Sequence, residues 1–204
     1  MDGIELADAV IETTLLDAVA AARGHFVYES GHHGDLWIDL DALFVHARRA
    51  RRWASALADR AVACRPEFVC GPLTGGALVA QSLAADLGVG FVFAERSVSE
   101  TRPVRYRIPE SLRGAVSGRR VLLVDDAVNA GSAVRATLAD VLECNGTLAG
   151  VATLLTLGAA AAQIAQEHGV PLFALASLQR EMWAAEECPL CRSRTPLIDH
   201  LARS

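Results

Sequence analysis

Short runs of branched apolar residues alternate along this chain with longer segments that have the spacing of amphipathic helices. Five such runs predict strands, and they lie at 68–70, 90–94, 121–124, 148–155 and 172–176. Between them, segments 77–87, 134–142 and 158–168 place apolar residues three or four positions apart, as the buried side of a helix requires. Strands that alternate with helices in this way are typical of a parallel sheet covered on both faces. The pattern therefore predicts an α/β fold with a doubly wound parallel sheet of about five strands.

The N-terminal region carries two other patterns. Residues 4–22 have helical apolar spacing that stops before Gly24, and residues 24–40 alternate about a Ser30-Gly31 turn, as a β-hairpin does. His32, His33 and Asp35 of this hairpin are candidate metal ligands. Adjacent residues converge poorly on one ion, however, so a polar hairpin loop is the simpler interpretation.

The composition excludes several classes of function. The chain has 204 residues, a formal net charge of −5 and 52% hydrophobic residues. An acidic chain is a poor general binder of nucleic acid, and no uncharged apolar stretch reaches the ~18 residues that span a membrane. No basic segment precedes an apolar run at the N-terminus, so we expect no targeting peptide and a cytoplasmic location. The five cysteines are then expected to be free thiols rather than structural disulfides.

The most informative stretch is 121–133, which reads Val-Leu-Leu-Val-Asp-Asp-Ala-Val-Asn-Ala-Gly-Ser-Ala. Its four branched apolar residues predict a buried parallel strand, and Asp125 and Asp126 close that strand. A small-residue loop with Gly131 and Ser132 then leads into a helix that ends at Asn145-Gly146. The free amides and the dipole at such a helix N-terminus bind a phosphate without a basic side chain.

Asp125 and Asp126 restrict the classes of ligand that can bind beside this loop. Carboxylates beside a phosphate loop would repel the phosphate, so they must face hydrogen-bond donors or a cation. Sugar hydroxyls are such donors and Mg²⁺ is such a cation. A phosphorylated sugar therefore fits the stretch, whereas an ordinary strand, loop and helix without a ligand is the simpler alternative.

This stretch resembles the motif with which type I phosphoribosyltransferases bind phosphoribosyl pyrophosphate (PRPP). In that motif, too, two acids follow a hydrophobic strand and precede a small-residue loop. The resemblance implies that Asp125 and Asp126 hold the ribose 2′- and 3′-hydroxyls. It also implies that the loop holds the 5′-phosphate, through Ala127, Val128, Asn129, Ala130, Gly131, Ser132 and Ala133.

A second strand, loop and helix begins at Phe68. Its loop consists of Gly71, Pro72, Leu73, Thr74, Gly75 and Gly76. Glycines let a backbone approach an anion closely, and a substrate with both a phosphate and a pyrophosphate requires a second anion loop. The segment is similar to the GP-x-TGG pyrophosphate loop of one branch of the orotate phosphoribosyltransferases. Arg96, at the carboxyl end of the next strand, would face the same site, and the matching family arginine reaches the pyrophosphate.

Residues 97–118 are polar, contain prolines and have no long period, so we expect a lid-like loop. Phosphoribosyl transfer creates a cationic centre and a pyrophosphate leaving group, and a lid can exclude water and supply positive charge. Arg102, Arg105 and Arg107 could supply it, and the candidate catalytic residues are Arg102 and Arg105 together with Asp125 and Asp126. The related enzymes carry lysines in this loop, whereas all 19 basic residues of this chain are arginine.

Arg135 lies one turn into the helix that follows the acid pair, where a positive charge opposes the helix dipole. A substrate anion or a neighbouring carboxylate such as Asp126 would offset this. In the orotate phosphoribosyltransferases the matching arginine meets the orotate carboxylate. The resemblance thus implies that Arg135, together with Asn129, contacts the base.

The resemblance extends over about residues 20–197. The hairpin is similar to the family's GHF-x-L-x-SG-x-HSD segment, part of a hood over the base, with Gly34 in place of a serine. The tail sequence Cys188-Pro-Leu-Cys191 is similar to a CPLC-x-x-G-x-P ending, with Arg194 in place of the glycine. One C-x-x-C is half of a tetrahedral zinc site, which His200, another distant residue or a second subunit would have to complete.

We therefore expect one domain over residues 1–204, with an α/β core at 46–176 and hood or tail elements at 1–45 and 177–204. The implied activity is transfer of ribose 5-phosphate from PRPP to orotate or a related base, with release of pyrophosphate, in pyrimidine nucleotide biosynthesis. Magnesium would arrive with the substrate rather than in a protein cage, and a homodimer is implied. Two alternatives are a PRPP-binding sensor or partner without catalysis, and a phosphoribosyltransferase for another base.

Overall fold

The structure is a computed structural model that describes residues 3–28, 31–99 and 102–199. The chain begins with helix α1 (Gly3–Ala18) and the strands β1 (Ala20–Val27) and β2 (His33–Asp39), followed by helices α2 (Asp41–Phe44) and α3 (Ala47–Ala61). The predicted hairpin is present, but the helix predicted over residues 4–22 ends at Ala18. The alanines after it favour a helix locally, yet Ala20 and Ala22 pair with β2, and this pairing decides their structure.

Six strands form the main sheet, and four further helices lie among them. The strands are β3 (Phe68–Pro72), β4 (Gly90–Ser99), β5 (Arg102–Arg107), β6 (Arg120–Val128), β7 (Thr147–Leu157) and β8 (Leu172–Leu178). The helices are α4 (Gly75–Leu87), α5 (Glu110–Val116), α6 (Ser132–Glu143) and α7 (Ala160–Glu167). The strand order is β5-β4-β3-β6-β7-β8, with parallel neighbours except for β4 and β5. All five predicted strands are present.

Helices cover both faces of this sheet. Successive residues of a strand point to opposite faces, so Leu122 and Leu123 of β6 enter two different cores. Leu122 packs in the core that contains Leu57 of α3 and Leu83 of α4. Leu123 packs in the core that contains Leu138 of α6. This arrangement confirms the doubly wound α/β class and explains why β6 is apolar without alternation.

The expectation of an irregular lid at 97–118 is wrong for the described part of that segment. Strand β4 continues to Ser99, β5 returns antiparallel beside it, and α5 follows. Tyr106 is half-buried and Ile108 is buried, so alternate residues of this arginine-rich segment pack onto the molecule. Residues 100 and 101 of the predicted lid lie outside the described residues.

A second, three-stranded sheet combines the N-terminal hairpin with a short strand from the C-terminal region. It has the order β1-β2-β9, where β9 (Met182–Trp183) precedes the short helix α8 (Pro189–Arg192). The tail also contacts β1 directly, because the Ile198 amide donates to the His25 carbonyl at 2.7 Å. The N-terminal hairpin and the C-terminal tail are thus one structural unit. Within the described ranges, none of the helices has the length and apolar character that crossing a bilayer needs.

Candidate active site

The acid pair lies at the carboxyl end of β6, in the middle of the main sheet. Asp125 is 8% exposed and Asp126 is half-buried. The strand continues past them to Val128, and Asp125 is in register with Thr153 of β7. The Thr153 hydroxyl donates to the backbone carbonyl of Asp126 at 3.2 Å, which fixes the strand end. Both acids are therefore held on rigid backbone at the sheet edge where ligands bind in such folds.

The hydrogen bonds described for the two carboxylates come from backbone amides next to them in the chain. One oxygen of Asp125 accepts from the Asp126 amide at 3.1 Å, and one oxygen of Asp126 accepts from the Ala127 amide at 2.9 Å. Burial raises the pKa of both carboxyls, and the neighbouring charge of Asp126 raises the pKa of Asp125 further. Two buried acids in contact ionise easily only when a cation or hydroxyl donors approach them.

The glycine loop of residues 71–76 lies directly against the acid pair. A Cβ atom built on Gly75 would be 2.1 Å from Oδ2 of Asp126, and one on Gly76 would be 2.6 Å from Oδ1 of Asp125. Gly71 is equally restricted, because its Cβ would be 2.4 Å from the Gly76 carbonyl oxygen. No side chain fits at these three positions. The structure thus brings together the two motifs that the sequence predicted to share one site.

The loop after the acids has the geometry of an anion site. Gly131 has a φ of 76°, in the left-handed region that favours glycine, and precedes the first turn of α6. Its buried position leaves no room for a side chain, since a Cβ would be 2.9 Å from Ile164 Cδ1. The first amides of α6, from Ser132 onward, have no acceptor within the helix. They are available to a phosphate together with the positive end of the helix dipole.

Arg96 lies near the end of β4, and its side chain is exposed. Among the described residues it forms no ion pair, either with the adjacent Glu95 or with another acid. In the strand pairing Arg96 lies opposite Tyr106 of β5. It is free to meet an anion at the same sheet edge as the glycine loop.

Tyr106 is a neighbour of this site that the sequence did not reveal. Burial raises the pKa of its hydroxyl, the Arg96 charge lowers it, and the Asp125 charge raises it. Tyr106 therefore lies within electrostatic reach of both predicted site residues. The alternation of Arg105, Tyr106, Arg107 and Ile108 is the signal that could have identified this strand.

Asp41 is a second unexpected neighbour. It begins α2, is exposed, and contributes to raising the pKa of Asp126, although burial is the larger cause. No sequence pattern associates it with residues more than eighty positions away. The charge of Asp41 thus adds to that of the acid pair, so the site favours a cation or a hydroxyl-rich ligand.

The structure does not bring Arg105, one of the two predicted lid arginines, to the acid pair. Arg105 lines a surface cavity together with Arg107 and with Asp140 and Glu143 of α6, and neither Asp125 nor Asp126 lines that cavity. The side chain of Arg102 lies outside the described residues, and its backbone pairs with Ser99. Their predicted catalytic role stays a prediction that requires β4 and β5 to move.

The predicted base-binding residues are both on the surface. Arg135 forms a two-pronged ion pair with Glu167 of α7, with N–O distances of 2.5 and 3.0 Å. The carboxylate that offsets its unfavourable place near the start of α6 is thus Glu167 and not Asp126. Asn129 is exposed in the phosphate loop. A contact between Arg135 and a base would require this ion pair to open.

The hairpin explains the glycine that departs from the family pattern. A Cβ on Gly34 would be 2.3 Å from the Tyr28 hydroxyl, so the tyrosine occupies the space that a serine side chain would need. That hydroxyl donates to the Leu36 carbonyl at 2.5 Å, which holds the ring in place. The surface that the hairpin offers to a ligand is therefore shaped by Tyr28.

Comparisons with known proteins agree with this geometry. The family profile described as phosphoribosyl transferase domain matches residues 40–171. An orotate phosphoribosyltransferase from Caldanaerobacter subterraneus is 30% identical over 176 residues, which cover 86% of this chain and 87% of that protein. One from Heliobacterium modesticaldum is 32% identical over 182 residues, 88% of this chain and 90% of the relative.

Solved structures share the fold. The orotate phosphoribosyltransferase of Mycobacterium tuberculosis H37Rv, crystallised in complex with PRPP, has a TM-score of 0.61 at 18% identity. The match covers 84% of this chain and 96% of that one. These comparisons confirm the type I phosphoribosyltransferase resemblance and fold that the motifs predicted.

Proposed function

This chain belongs to the phosphoribosyltransferase family, and from that membership we propose that it transfers ribose 5-phosphate from PRPP to orotate or a related base. Pyrophosphate leaves in this reaction, and the product is a nucleoside monophosphate of the pyrimidine pathway. The observation that carries the proposal is the contact of the acid pair with the glycine loop. It provides one place for ribose hydroxyls and an adjacent place for the pyrophosphate.

The donor is held by three sets of groups. Asp125 and Asp126 accept hydrogen bonds from the ribose 2′- and 3′-hydroxyls, and the raised pKa of both carboxyls falls as these donors arrive. The amides of residues 127–133, with the N-terminus of α6, bind the 5′-phosphate. The backbone of residues 71–76 and the Arg96 guanidinium bind the pyrophosphate.

The residues at the site fit a magnesium ion that enters with the substrate. Oxygen is the only donor type that Asp41, Asp125 and Asp126 offer, and burial raises the pKa of Asp125 and Asp126, which a bound cation would offset. When bound, magnesium neutralises pyrophosphate oxygens and so improves the leaving group. The carboxylates would hold it directly or through its water molecules.

The chain's own residues then act by position and charge. As the bond from ribose C1 to the pyrophosphate oxygen breaks, positive charge develops on the ribose and negative charge on the leaving oxygen. The acid pair fixes the ribose and favours its cationic form, and Arg96 faces the leaving pyrophosphate. Arg102 and Arg105 join it if β4 and β5 close over the site. A base nitrogen attacks C1 from the opposite side.

Orotate is favoured as the base because it carries a carboxylate that an arginine can bind in two-pronged fashion. Arg135 with Asn129 is the proposed contact, and it requires orotate to replace Glu167 as the partner of Arg135. The Tyr28-filled hairpin differs from the serine-bearing family pattern, which supports a related base as the second candidate. A PRPP-binding protein without catalysis is the third, and the absence of lysine from the chain supports it.

A homodimer in the cytoplasm is part of the proposal. In the resembling enzymes the loop after the strand-end arginine reaches the active site of the neighbouring subunit, which would give Arg102 and Arg105 a site to serve. Light scattering tests this, and a purely monomeric active protein would contradict it. The five free cysteines suit a reducing compartment such as the cytoplasm.

The decrease in orotate absorbance tests the activity directly. We expect purified protein with Mg²⁺, PRPP and orotate to consume orotate, and pyrophosphate to appear in equal amount. Turnover of another base alone would select the second candidate. Tight PRPP binding without any turnover would contradict the enzymatic proposal and select the sensor.

A further inference from the structure

Four metal-ligating side chains, none of them from the acid pair, converge where the N-terminal hairpin meets the C-terminal tail. His25 of β1, His33 of β2, Cys188 and Cys191 place their ligand atoms within 4.8 Å of one another. His25 Nε2 is 3.0 Å from His33 Nδ1 and 3.4 Å from Cys188 Sγ. Cys191 Sγ is 3.6 Å from His25 Nε2 and 3.2 Å from His33 Nδ1.

These distances match the edges of a zinc tetrahedron. With Zn–N near 2.0–2.1 Å and Zn–S near 2.3 Å, tetrahedral angles separate neighbouring ligand atoms by about 3.3 to 3.8 Å. Four of the six pairs of ligand atoms, at 3.0–3.6 Å, lie within or slightly below this range, and the other two pairs, Cys188–Cys191 and Cys188–His33, lie within 4.8 Å. Shifts of the side chains would therefore suffice to place the four atoms around a central ion. Two thiolates and two imidazoles in a tetrahedron are the ligand set that selects zinc.

The hydrogen bonding of His25 prepares it as a ligand. Its Nδ1 lies 2.9 Å from the Thr195 carbonyl oxygen, which can only accept. Nδ1 therefore carries the proton, and in the neutral ring the lone pair of Nε2 is directed at the cluster. A backbone carbonyl that fixes the tautomer in this way is the usual outer partner of a zinc-bound histidine.

The site is closed. His25, His33 and Cys188 are buried, at 1%, 7% and 0% exposure, and Cys191 is the exposed member. Four protein ligands leave no coordination position for a substrate, which is the property of a structural rather than a catalytic zinc. The ion would join segments as far apart as His25 and Cys188, which are 163 positions apart. Cross-linking such distant segments restricts the unfolded chain strongly.

We propose that His25, His33, Cys188 and Cys191 bind one structural zinc ion that fastens the tail to the hairpin. The half-site expected from the C-x-x-C is thus completed by two histidines of the same chain. Among the other candidate ligands that the sequence offers, Asp35 forms an ion pair with Arg23, His32 is not in the cluster, and His200 lies outside the described residues.

Metal analysis of the purified chain, with matched variants, tests the assignment. We expect one zinc per chain in the wild-type protein, and loss of most of it in Cys191→Ser and His33→Asn. Cys64→Ser and His32→Asn are the controls and should keep their zinc. Cys64 donates a sulfur hydrogen bond to the Ala61 carbonyl that serine can replace. Equal zinc in all five proteins would overturn the assignment.

Cobalt substitution needs no variant and so cannot be confused with misfolding. We expect Co²⁺ added to metal-free wild-type protein to give the intense visible bands of a tetrahedral site and a thiolate charge-transfer band. We expect a chelator to lower the Tm by several degrees, and zinc to restore it. Weak octahedral bands, no binding, or a Cys188–Cys191 disulfide in freshly purified, unreduced protein would each overturn the proposal.

Discussion

Two buried aspartates, Asp140 of α6 and Asp125 of β6, have opposite electrostatic surroundings in this fold. Asp140 of α6 is 3% exposed and accepts from Arg113 at 2.8 and 3.0 Å and from the Ile108 amide at 2.7 Å. Asp125 of β6 is 8% exposed, faces the carboxylate of Asp126, and has its pKa raised by burial and by that neighbour. One carboxylate is neutralised by its own chain and the other is left without a cation.

The difference separates a structural acid, Asp140, from an acid to which the proposed function gives a role, Asp125. A buried charge with a guanidinium and an amide as partners secures the packing of β5, α5 and α6 against each other. A buried pair of like charges is unfavourable until something else supplies hydroxyls or positive charge. In the proposed function the PRPP–magnesium complex supplies both at this edge of the sheet, and four changes to the chain test the contrast.

The largest effect is expected on catalysis. Asp125→Asn with Asp126→Asn keeps the shape of the pair and removes its negative charge, so the ribose hydroxyls lose two charge-assisted acceptors. We expect kcat/KM for PRPP to fall roughly 10³-fold, about 4 kcal/mol, in a steady-state assay. Circular dichroism should show an intact fold. Activity within threefold of wild type would contradict the role of the pair.

The next effect is on stability. Asp140→Ala removes the acceptor of Arg113 and of the Ile108 amide, both of which are left in a poorly solvated position. We expect the free energy of unfolding to fall by about 3 kcal/mol in a denaturant titration. Glu143→Ala is the control, because it removes an exposed carboxylate whose ion pairs with Arg107 and Arg113 are 3.4 and 4.0 Å long, and it should change the free energy of unfolding by less than about 1 kcal/mol. Similar losses of unfolding free energy in the two variants would contradict the structural role of Asp140.

Gly75→Ala adds one methyl group where the loop meets the acids. Because that carbon would be 2.1 Å from Asp126 Oδ2, either the loop or the carboxylate must shift. We expect about a tenfold rise in the KM for PRPP, equivalent to about 1.4 kcal/mol. Gly114→Ala in α5 is the matched control, since a Cβ there meets nothing within 4 Å. If both variants bind PRPP as the wild type does, the loop does not depend on close contact with the pair.

The smallest effect is a gain in stability. A carboxyl whose pKa is raised by folding stabilises the fold when protonated, below its unfolded value, and loses that contribution as pH rises through the folded pKa. At neutral pH, where the unfolded chain ionises this carboxyl, the raised pKa of Asp125 is therefore a cost to stability, and Asp125→Asn should modestly raise the free energy of unfolding. The gain should disappear as pH falls toward about 3.9. A variant less stable than wild type at pH 7 would contradict the raised pKa.

The sequence predicted the parts of this fold that depend on local pattern. The strand at 121–124, the acids after it and the turn at Gly131 can be identified because adjacent residues carry the whole signal. The end of α1 at Ala18 could not be identified in this way. Ala20–Ala22 favour a helix locally, and only their pairing with β2 makes them a strand. Strand β5 was missed because arginines conceal the alternation of Tyr106 and Ile108.

The contacts of the candidate site likewise divide into those that the sequence predicted and those that it did not. The glycine loop and the acid pair were correctly expected to meet, since both follow parallel strands whose carboxyl ends share one edge. The proximity of Asp41, the partnership of Arg135 with Glu167 and the convergence of His25 with Cys191 are contacts between distant segments. No local pattern encodes them, so only the three-dimensional arrangement reveals them.

Proton release on ligand binding tests the central claim most directly. Magnesium and PRPP are titrated into the protein by calorimetry at mildly acidic pH, in two buffers of different ionisation enthalpy, with magnesium–PRPP alone as the blank. If the acid pair is partly protonated in the free protein and ionises against the ribose and the cation, binding must release protons, and Asp140→Ala must release as many. Binding that exchanges no protons beyond the blank would show that the pair is already ionised and would contradict the account.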